Sequence, residues 1–124
     1  MVSGSRILLI DDDDLFRKVV HVMLTTAGYD VQAAANGKVG MDCYRQQPSD
    51  VVVTDILMPV KEGLETIQAL KKLDPDVKII AMSSGGEDEF GYLQSAVAFG
   101  ARRILHKPFS RDDLLSTLAD LVAE

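Results

Sequence analysis

The chain has 124 residues and is 47% hydrophobic, which predicts one globular domain, residues 1–124, with a buried core. With 19 acidic against 13 basic residues its net charge is -6, which argues against direct binding to nucleic acid or to an anionic membrane. A single cysteine, Cys43, excludes an internal disulfide, and no apolar run approaches the roughly 20 residues that cross a bilayer. We therefore expect a cytoplasmic protein with no membrane segment.

Short apolar runs alternate with amphipathic segments along the whole chain. Several runs are apolar at consecutive positions, as in Val51, Val52 and Val53, which is typical of strands buried on both faces. This alternation predicts an α/β fold, a doubly wound parallel sheet with helices on both faces. The predicted strands are residues 7–10, 31–35, 51–54, 77–81 and 103–106.

Five helices are predicted between and after these strands. The first ends at Gly28 and buries a stripe with spacings of three and four, and the last begins after Ser110, with Asp113 in its first turn. The stripe of the first helix comprises Phe16, Val19, Val20, Met23, Leu24 and Ala27. The other three helices are predicted near residues 39–46, 63–73 and 87–99.

Polar side chains follow four of the five predicted strands. In doubly wound sheets the loops after the carboxyl ends of the strands converge on one edge, where ligands bind. We therefore expect these side chains to share one site. They are Asp11 and Asp12 after the first strand, Asp55 after the third, Ser83 and Ser84 after the fourth, and Lys107 after the fifth.

Four consecutive acidic residues open this candidate site. Asp13 and Asp14 are explained by capping of the following helix. Asp11 and Asp12 would instead lie in one cleft with Asp55, where like charges 4 Å apart repel by about 4 kcal/mol at an effective dielectric of 20. A hard divalent cation such as Mg²⁺ would relieve that repulsion and leave room for a phosphate oxygen.

The remaining residues favour phosphoryl chemistry. A carboxylate such as Asp55 is a nucleophile toward phosphoryl groups, and a bound metal ion would neutralise the charge of the incoming phosphate. A lysine charge at Lys107 and a hydroxyl donor at Ser83 suit the oxygens of a transferring phosphoryl group. Each residue alone would be read as a turn former, a solvated lysine or a loop serine, but together they predict a phosphoryl-transfer site.

Four segments of the chain resemble the receiver domains of bacterial two-component response regulators. The resemblance runs along essentially the whole chain and implies a flavodoxin-like (βα)5 fold with strand order 2-1-3-4-5. Its motifs are ILLIDDDD at the first strand, VVVTDILMP at the third, IIAMSS at the fourth and GARRILHKPF at the fifth.

The resemblance also implies residue roles. Asp11, Asp12 and Asp55 would hold Mg²⁺, or Mn²⁺ in its place, together with the backbone carbonyl of Leu57. A sensor histidine kinase or histidine phosphotransfer protein would phosphorylate Asp55, and the domain would catalyse only its own phosphorylation and dephosphorylation. Ser83 would be the switch hydroxyl and Lys107 would pair with the phosphate. The peptide bond between Lys107 and Pro108 would be cis. A downstream effector, and a homodimer formed on phosphorylation, are further expectations.

One position departs from the usual pattern of this family. Many receiver domains have Tyr or Phe where Ile104 stands, and the rotamer of that ring follows the switch state. Gly85 and Gly86 make the segment from Ser83 to Gly100 conformationally permissive. We therefore hypothesise that switching here depends on this segment and the fourth helix rather than on a rotating ring.

Other functions remain as alternatives. A small phosphatase with an Asp nucleophile, of the haloacid dehalogenase type, would need Thr or Val where Leu15 stands and has no room for a substrate cap. A divalent-cation-binding module of the EF-hand type would need glycine where Phe16 stands. A flavodoxin-like electron carrier would need a glycine- or hydroxyl-rich phosphate loop after the first strand.

Overall fold

A computed structural model describes residues 5–56, 62–83 and 89–124. Four residues that the sequence analysis singled out lie outside these ranges. They are the candidate site residues Leu57 and Ser84, and the glycines of the proposed switch segment, Gly85 and Gly86. Within them the chain forms five strands, which are β1 (Arg6–Ile10), β2 (Asp30–Ala34), β3 (Val51–Asp55), β4 (Ile79–Ser83) and β5 (Arg103–His106). The helices are α1 (Asp14–Thr26), α2 (Gly37–Gln46), α3 (Glu62–Leu73), α4 (Glu89–Phe99) and α5 (Arg111–Val122).

All five strands pair in parallel in one sheet of order β2-β1-β3-β4-β5. This confirms the predicted doubly wound fold. The chain winds toward one edge through β2 and then toward the other through β3, β4 and β5, so the direction reverses between β1 and β3. Ligands of open α/β sheets bind outside the carboxyl ends of the strands at such a point.

Two apolar cores cover the two faces of the sheet. Along β1, Ile7 and Leu9 pack into the core under α1 and α5, whereas Leu8 and Ile10 pack into the core under α2, α3 and α4. Because successive side chains of a strand point to opposite faces, a strand buried on both faces must be apolar at consecutive positions. That requirement explains the apolar runs in the sequence.

The helix ends follow local chemistry. Asp13 caps α1, its side chain accepting the backbone N–H of Phe16 at 3.1 Å, and Ser110 forms the predicted capping box with Asp113 at the start of α5. Gly28 follows α1 with a φ of 100°, a conformation that favours glycine. Val19 is 45% exposed, so its assignment to the buried stripe of α1 was wrong.

The fourth strand begins two residues later than predicted and ends at Ser83. Val77 is buried, but its amide donates to the carbonyl of Asp74 at 3.1 Å in the turn that contains Pro75. Apolar character alone does not distinguish such a buried turn residue from a strand residue. The shift places Ser83 within the strand rather than after it.

Among the described residues, no helix is both long enough and apolar enough to span a membrane.

Candidate functional site

Three carboxylates converge at the carboxyl ends of β1 and β3. Asp11 follows β1 directly and Asp55 is the last residue of β3, the adjacent strand. With Asp12, each offers an oxygen that lies within 4.8 Å of the oxygens offered by the other two. Asp11 and Asp55 are buried, at 0% and 4% exposure, whereas Asp12 is exposed. The sequence prediction that these three residues lie close together agrees with this arrangement.

The acidic run is divided between the cleft and the helix. Oδ1 of Asp11 accepts the backbone N–H of Asp13 at 2.9 Å, while Asp13 itself caps α1. Arg17 donates to the backbone carbonyl of Asp11 at 2.7 Å and forms an ion pair with Asp14 at 2.6 Å. These contacts hold the loop after β1 against the first turn of α1. They fix the backbone of Asp11 through Arg17 and its carboxylate through the Asp13 amide.

Lys107 brings a positive charge into the acidic cluster. Its ammonium group donates to Oδ2 of Asp11 at 2.8 Å and to Oδ2 of Asp55 at 3.1 Å, and the side chain is only 15% exposed. Burial alone would lower the pKa of Lys107, but the hydrogen bonds and charges of Asp11 and Asp55 outweigh it and raise the pKa above its ordinary value. Lys107 therefore stays charged in the cleft.

Backbone contacts hold Lys107 beside β4. Its N–H donates to the carbonyl of Ser83 at 2.6 Å, and its peptide bond to Pro108 is cis. Ser83 is fully buried at the end of β4. Ile104 lies opposite Ala81 in the β4–β5 ladder and is partly buried against the core under α2, α3 and α4. The two predicted switch positions are thus on neighbouring strands, two residues apart in register.

The side chains fit a hard divalent cation. At 4.8 Å, two carboxylates repel by about 3 kcal/mol at an effective dielectric of 20. Within the described part of the chain, one ammonium and three carboxylates in the cluster sum to a charge of -2, which a single dication would balance. The donors are all carboxylate oxygens, which Mg²⁺ prefers. The predicted fourth protein ligand, the backbone carbonyl of Leu57, lies outside the described residues.

Two residues near the site were not predicted from the sequence. The Phe16 ring lies under Lys107, with 4.2 Å between Nζ and the ring centroid. Gly63, at the start of α3, lies so close to the end of β3 that a Cβ there would be 2.5 Å from the carbonyl oxygen of Asp55. The helical spacing predicts Phe16 only as part of the core stripe of α1. The signal in the sequence that could have pointed to Gly63 is a glycine at the start of the helix that follows Asp55.

The family model for the response regulator receiver domain matches residues 7–119, which contain every one of these site residues. The chain belongs to that family. Receiver domains are signalling switches that interact with histidine kinases or phosphotransfer proteins, and they bind Mg²⁺ in their active sites.

Individual relatives agree with this assignment. The receiver domain is 33% identical to the chemotaxis protein CheY of Thermotoga maritima over 116 residues, which cover 93% of this chain and 95% of that protein. Its structure is similar to that of the chemotaxis protein CheY4 of Vibrio cholerae, with a TM-score of 0.87 and 30% identity over 96% of this chain and 99% of that one.

A third relative has been crystallised with a metal ion. It is the receiver domain of a sensor histidine kinase of Pseudomonas aeruginosa, which has a magnesium ion coordinated in its active-site cleft. The TM-score is 0.88 at 26% identity, and the match covers 98% of this chain and all of that one.

Proposed function

We propose that Asp55 accepts a phosphoryl group from a histidine kinase or a histidine phosphotransfer protein, in a site where Asp11, Asp12 and Asp55 hold Mg²⁺. The observation that supports this most strongly is the Lys107 ammonium, which bridges the Asp11 and Asp55 carboxylates within a buried acidic cluster. The backbone carbonyl of Leu57 would complete the protein ligands, and Mn²⁺ would serve in place of Mg²⁺.

Asp55 fits the role of nucleophile better than its two neighbours. Oδ1 of Asp11 accepts the Asp13 amide and Oδ2 accepts Lys107, which suits a carboxylate held in place as a ligand of the metal ion. Asp12 is exposed, whereas Asp55 is buried and accepts from the Lys107 ammonium. Asp55 ends a strand that has β1 on one side and β4 on the other, so groups from both neighbouring strands can act on a phosphoryl group attached to it.

The reaction is a transfer between two covalent carriers. An oxygen of Asp55 attacks phosphorus, the new P–O bond forms as the P–N bond to the donor histidine breaks, and the leaving imidazole keeps the electron pair of that bond. When bound, Mg²⁺ neutralises charge on the phosphoryl oxygens. Attack by water on the acyl phosphate later returns the carboxylate and inorganic phosphate. The domain thus acts on itself as a switch and does not turn over a conventional substrate.

Phosphorylation of Asp55 increases the negative charge next to the Lys107 ammonium. The new group carries about -1.5 to -2 charge at neutral pH, so it competes with Asp11 for the ammonium of Lys107. The Ser83 hydroxyl would donate to the same group. Since these residues end β4 and follow β5, their movement would shift the population of conformations of α4, β5 and α5. That face would contact a downstream effector or a second phosphorylated copy in the cytoplasm, with Ile104 taking the place of the usual aromatic ring.

Intact-protein mass spectrometry after incubation with acetyl phosphate and Mg²⁺ tests the proposal. We expect a labile phosphoryl adduct on the parent protein and none on Asp55→Asn. Asp42→Asn is the matched control, because Asp42 is exposed and its side chain pairs only with Arg45 among the contacts described. An adduct on Asp55→Asn would refute the assignment. Binding of Mg²⁺ with no adduct on the parent would favour a simple cation-binding module instead.

A further inference from the structure

Phe16 occupies a fixed position beside the acidic cleft. Its backbone N–H is held by the capping residue Asp13, and its ring packs edge-on against the ring of Phe109, with centroids 5.6 Å apart and an interplanar angle of 82°. Both rings are partly buried against the core under α1 and α5. The ring is therefore anchored by α1 and by the segment after β5 at once.

Among the residues that the structure describes, Lys107 has three partners at its ammonium group. Two are carboxylates, those of Asp11 and Asp55, and the third is the Phe16 ring at 4.2 Å, within the range of a cation–π contact. Lysine is among the side chains that lose most rotamer freedom when they are held in one place. A fixed third contact limits where the ammonium can go.

The ring differs from the other two partners during the proposed reaction. Both carboxylates change state, because Asp11 is assigned to the metal ion and Asp55 becomes an acyl phosphate. Phe16 binds neither metal nor phosphoryl group, so its contact with the ammonium is the one of the three that the chemistry leaves unaltered. The ring can therefore keep Lys107 over the cleft while its anionic partners are exchanged.

We propose that Phe16 is a positioning residue for phosphoryl transfer, whose ring face holds the Lys107 ammonium against the phosphoacceptor. This inference rests on the proposed function of Asp55 and deepens it. The proposal gives a role in phosphoryl transfer to an aromatic residue on α1. The position of the usual aromatic switch residue, Ile104, lies on a different element, β5.

Substitution at Phe16 tests this role. Phe16→Met removes the ring but keeps an unbranched apolar side chain, and Phe16→Trp keeps a π face over the lysine. From the strength of cation–π contacts, we expect Phe16→Met to slow adduct formation from acetyl phosphate about 2- to 30-fold at saturating Mg²⁺, with Mg²⁺ affinity unchanged. Phe16→Trp should restore the rate, and the control Leu15→Met, at an exposed neighbour on α1, should match the parent.

A second measurement needs neither phosphorylation nor a substitution at Phe16. In NMR spectra of the parent protein, ring current from Phe16 should move the ε-methylene protons of Lys107 upfield of those of the other lysines, and Asp55→Asn should keep that shift. Absence of the shift would overturn the inference even if Phe16→Met fails to fold. A parental rate in folded Phe16→Met, or a rate in Phe16→Trp as low as in Phe16→Met, would also overturn it. Failure of the proposed function would appear separately, as an adduct on Asp55→Asn.

Discussion

Lys107 donates to Oδ2 of Asp55 across 3.1 Å, so an ammonium group from the loop after β5 contacts the last residue of β3. The same ammonium reaches Asp11 at 2.8 Å. Both carboxylates are almost fully buried, and buried charges are tolerated only when they are paired. The lysine therefore stabilises the metal-free fold, in addition to the role in phosphoryl transfer that we propose for it.

Removing that cation should destabilise the metal-free protein. Lys107→Met keeps the apolar stem but leaves Asp11 and Asp55 without their positive partner, and breaking a buried pair costs about 3 kcal/mol or more. We expect a loss of about that size in the free energy of unfolding, measured by urea denaturation in the presence of a chelator. Mg²⁺ should recover part of it. An unchanged denaturation midpoint would show that the ion pair is not formed in solution.

The stabilisation supplied by Lys107 should persist into alkaline pH. The folded-state pKa of Lys107 is raised above 10.5, so the contribution is fully present below that value and is lost as pH rises through the folded pKa. The difference in unfolding free energy between the parent and Lys107→Met should stay constant from neutral pH to about pH 10 and then decline. A decline that begins near neutral pH would contradict the raised pKa.

Asp12 should affect metal binding more than folding. Because Asp12 is exposed, Asp12→Asn should leave the unfolding free energy nearly unchanged without metal. A ligand at 100 times its dissociation constant stabilises a protein by about 2.7 kcal/mol, so weaker Mg²⁺ binding appears as a smaller rise in melting temperature. Thermal denaturation across a Mg²⁺ titration measures this effect. Asp120→Asn, at an exposed position on α5, is the control and should respond to Mg²⁺ as the parent does.

Gly63 should tolerate no side chain. A Cβ at this position would meet the backbone of Asp55 and Ile56 at 2.5 Å, and a backbone cannot move aside as a flexible side chain can. We expect Gly63→Ala to destabilise the protein by about 1 to 3 kcal/mol and to slow phosphorylation by displacing the end of β3. Gln68→Ala, at an exposed position on the same helix, should do neither. Equal melting temperatures for the two variants would rule out the close approach.

Most of the fold could be predicted from the sequence because a parallel sheet covered on both faces leaves a clear pattern. Strand ends leave no such pattern, since Val77 is as apolar and as buried as a strand residue yet belongs to the turn after Asp74. Val19 was misplaced for a related reason. It neighbours Val20 on α1, and one residue of rotation, about 100°, carries it from the core to the surface.

The cleft itself could be predicted only in part. Carboxylates and a lysine at strand ends suffice to predict that Asp11, Asp55 and Lys107 meet, because parallel strands share one carboxyl edge. The contact between Phe16 and Lys107 depends on the path of the chain after β5, where Phe109 packs on the same ring. Helical spacing predicts that Phe16 faces inward, but it does not predict which charged group contacts the face of the ring.

The most direct test of the central claim is to locate the phosphoryl group on the chain. Borohydride reduces an aspartyl phosphate to homoserine, so reduction after exposure to acetyl phosphate and Mg²⁺, followed by peptide sequencing in a mass spectrometer, marks the modified residue. We predict homoserine at position 55 and an unaltered aspartate at Asp11 and Asp12, with no conversion when Mg²⁺ is chelated. Homoserine at position 11 or 12, or conversion at position 55 that is independent of metal, would contradict the mechanism.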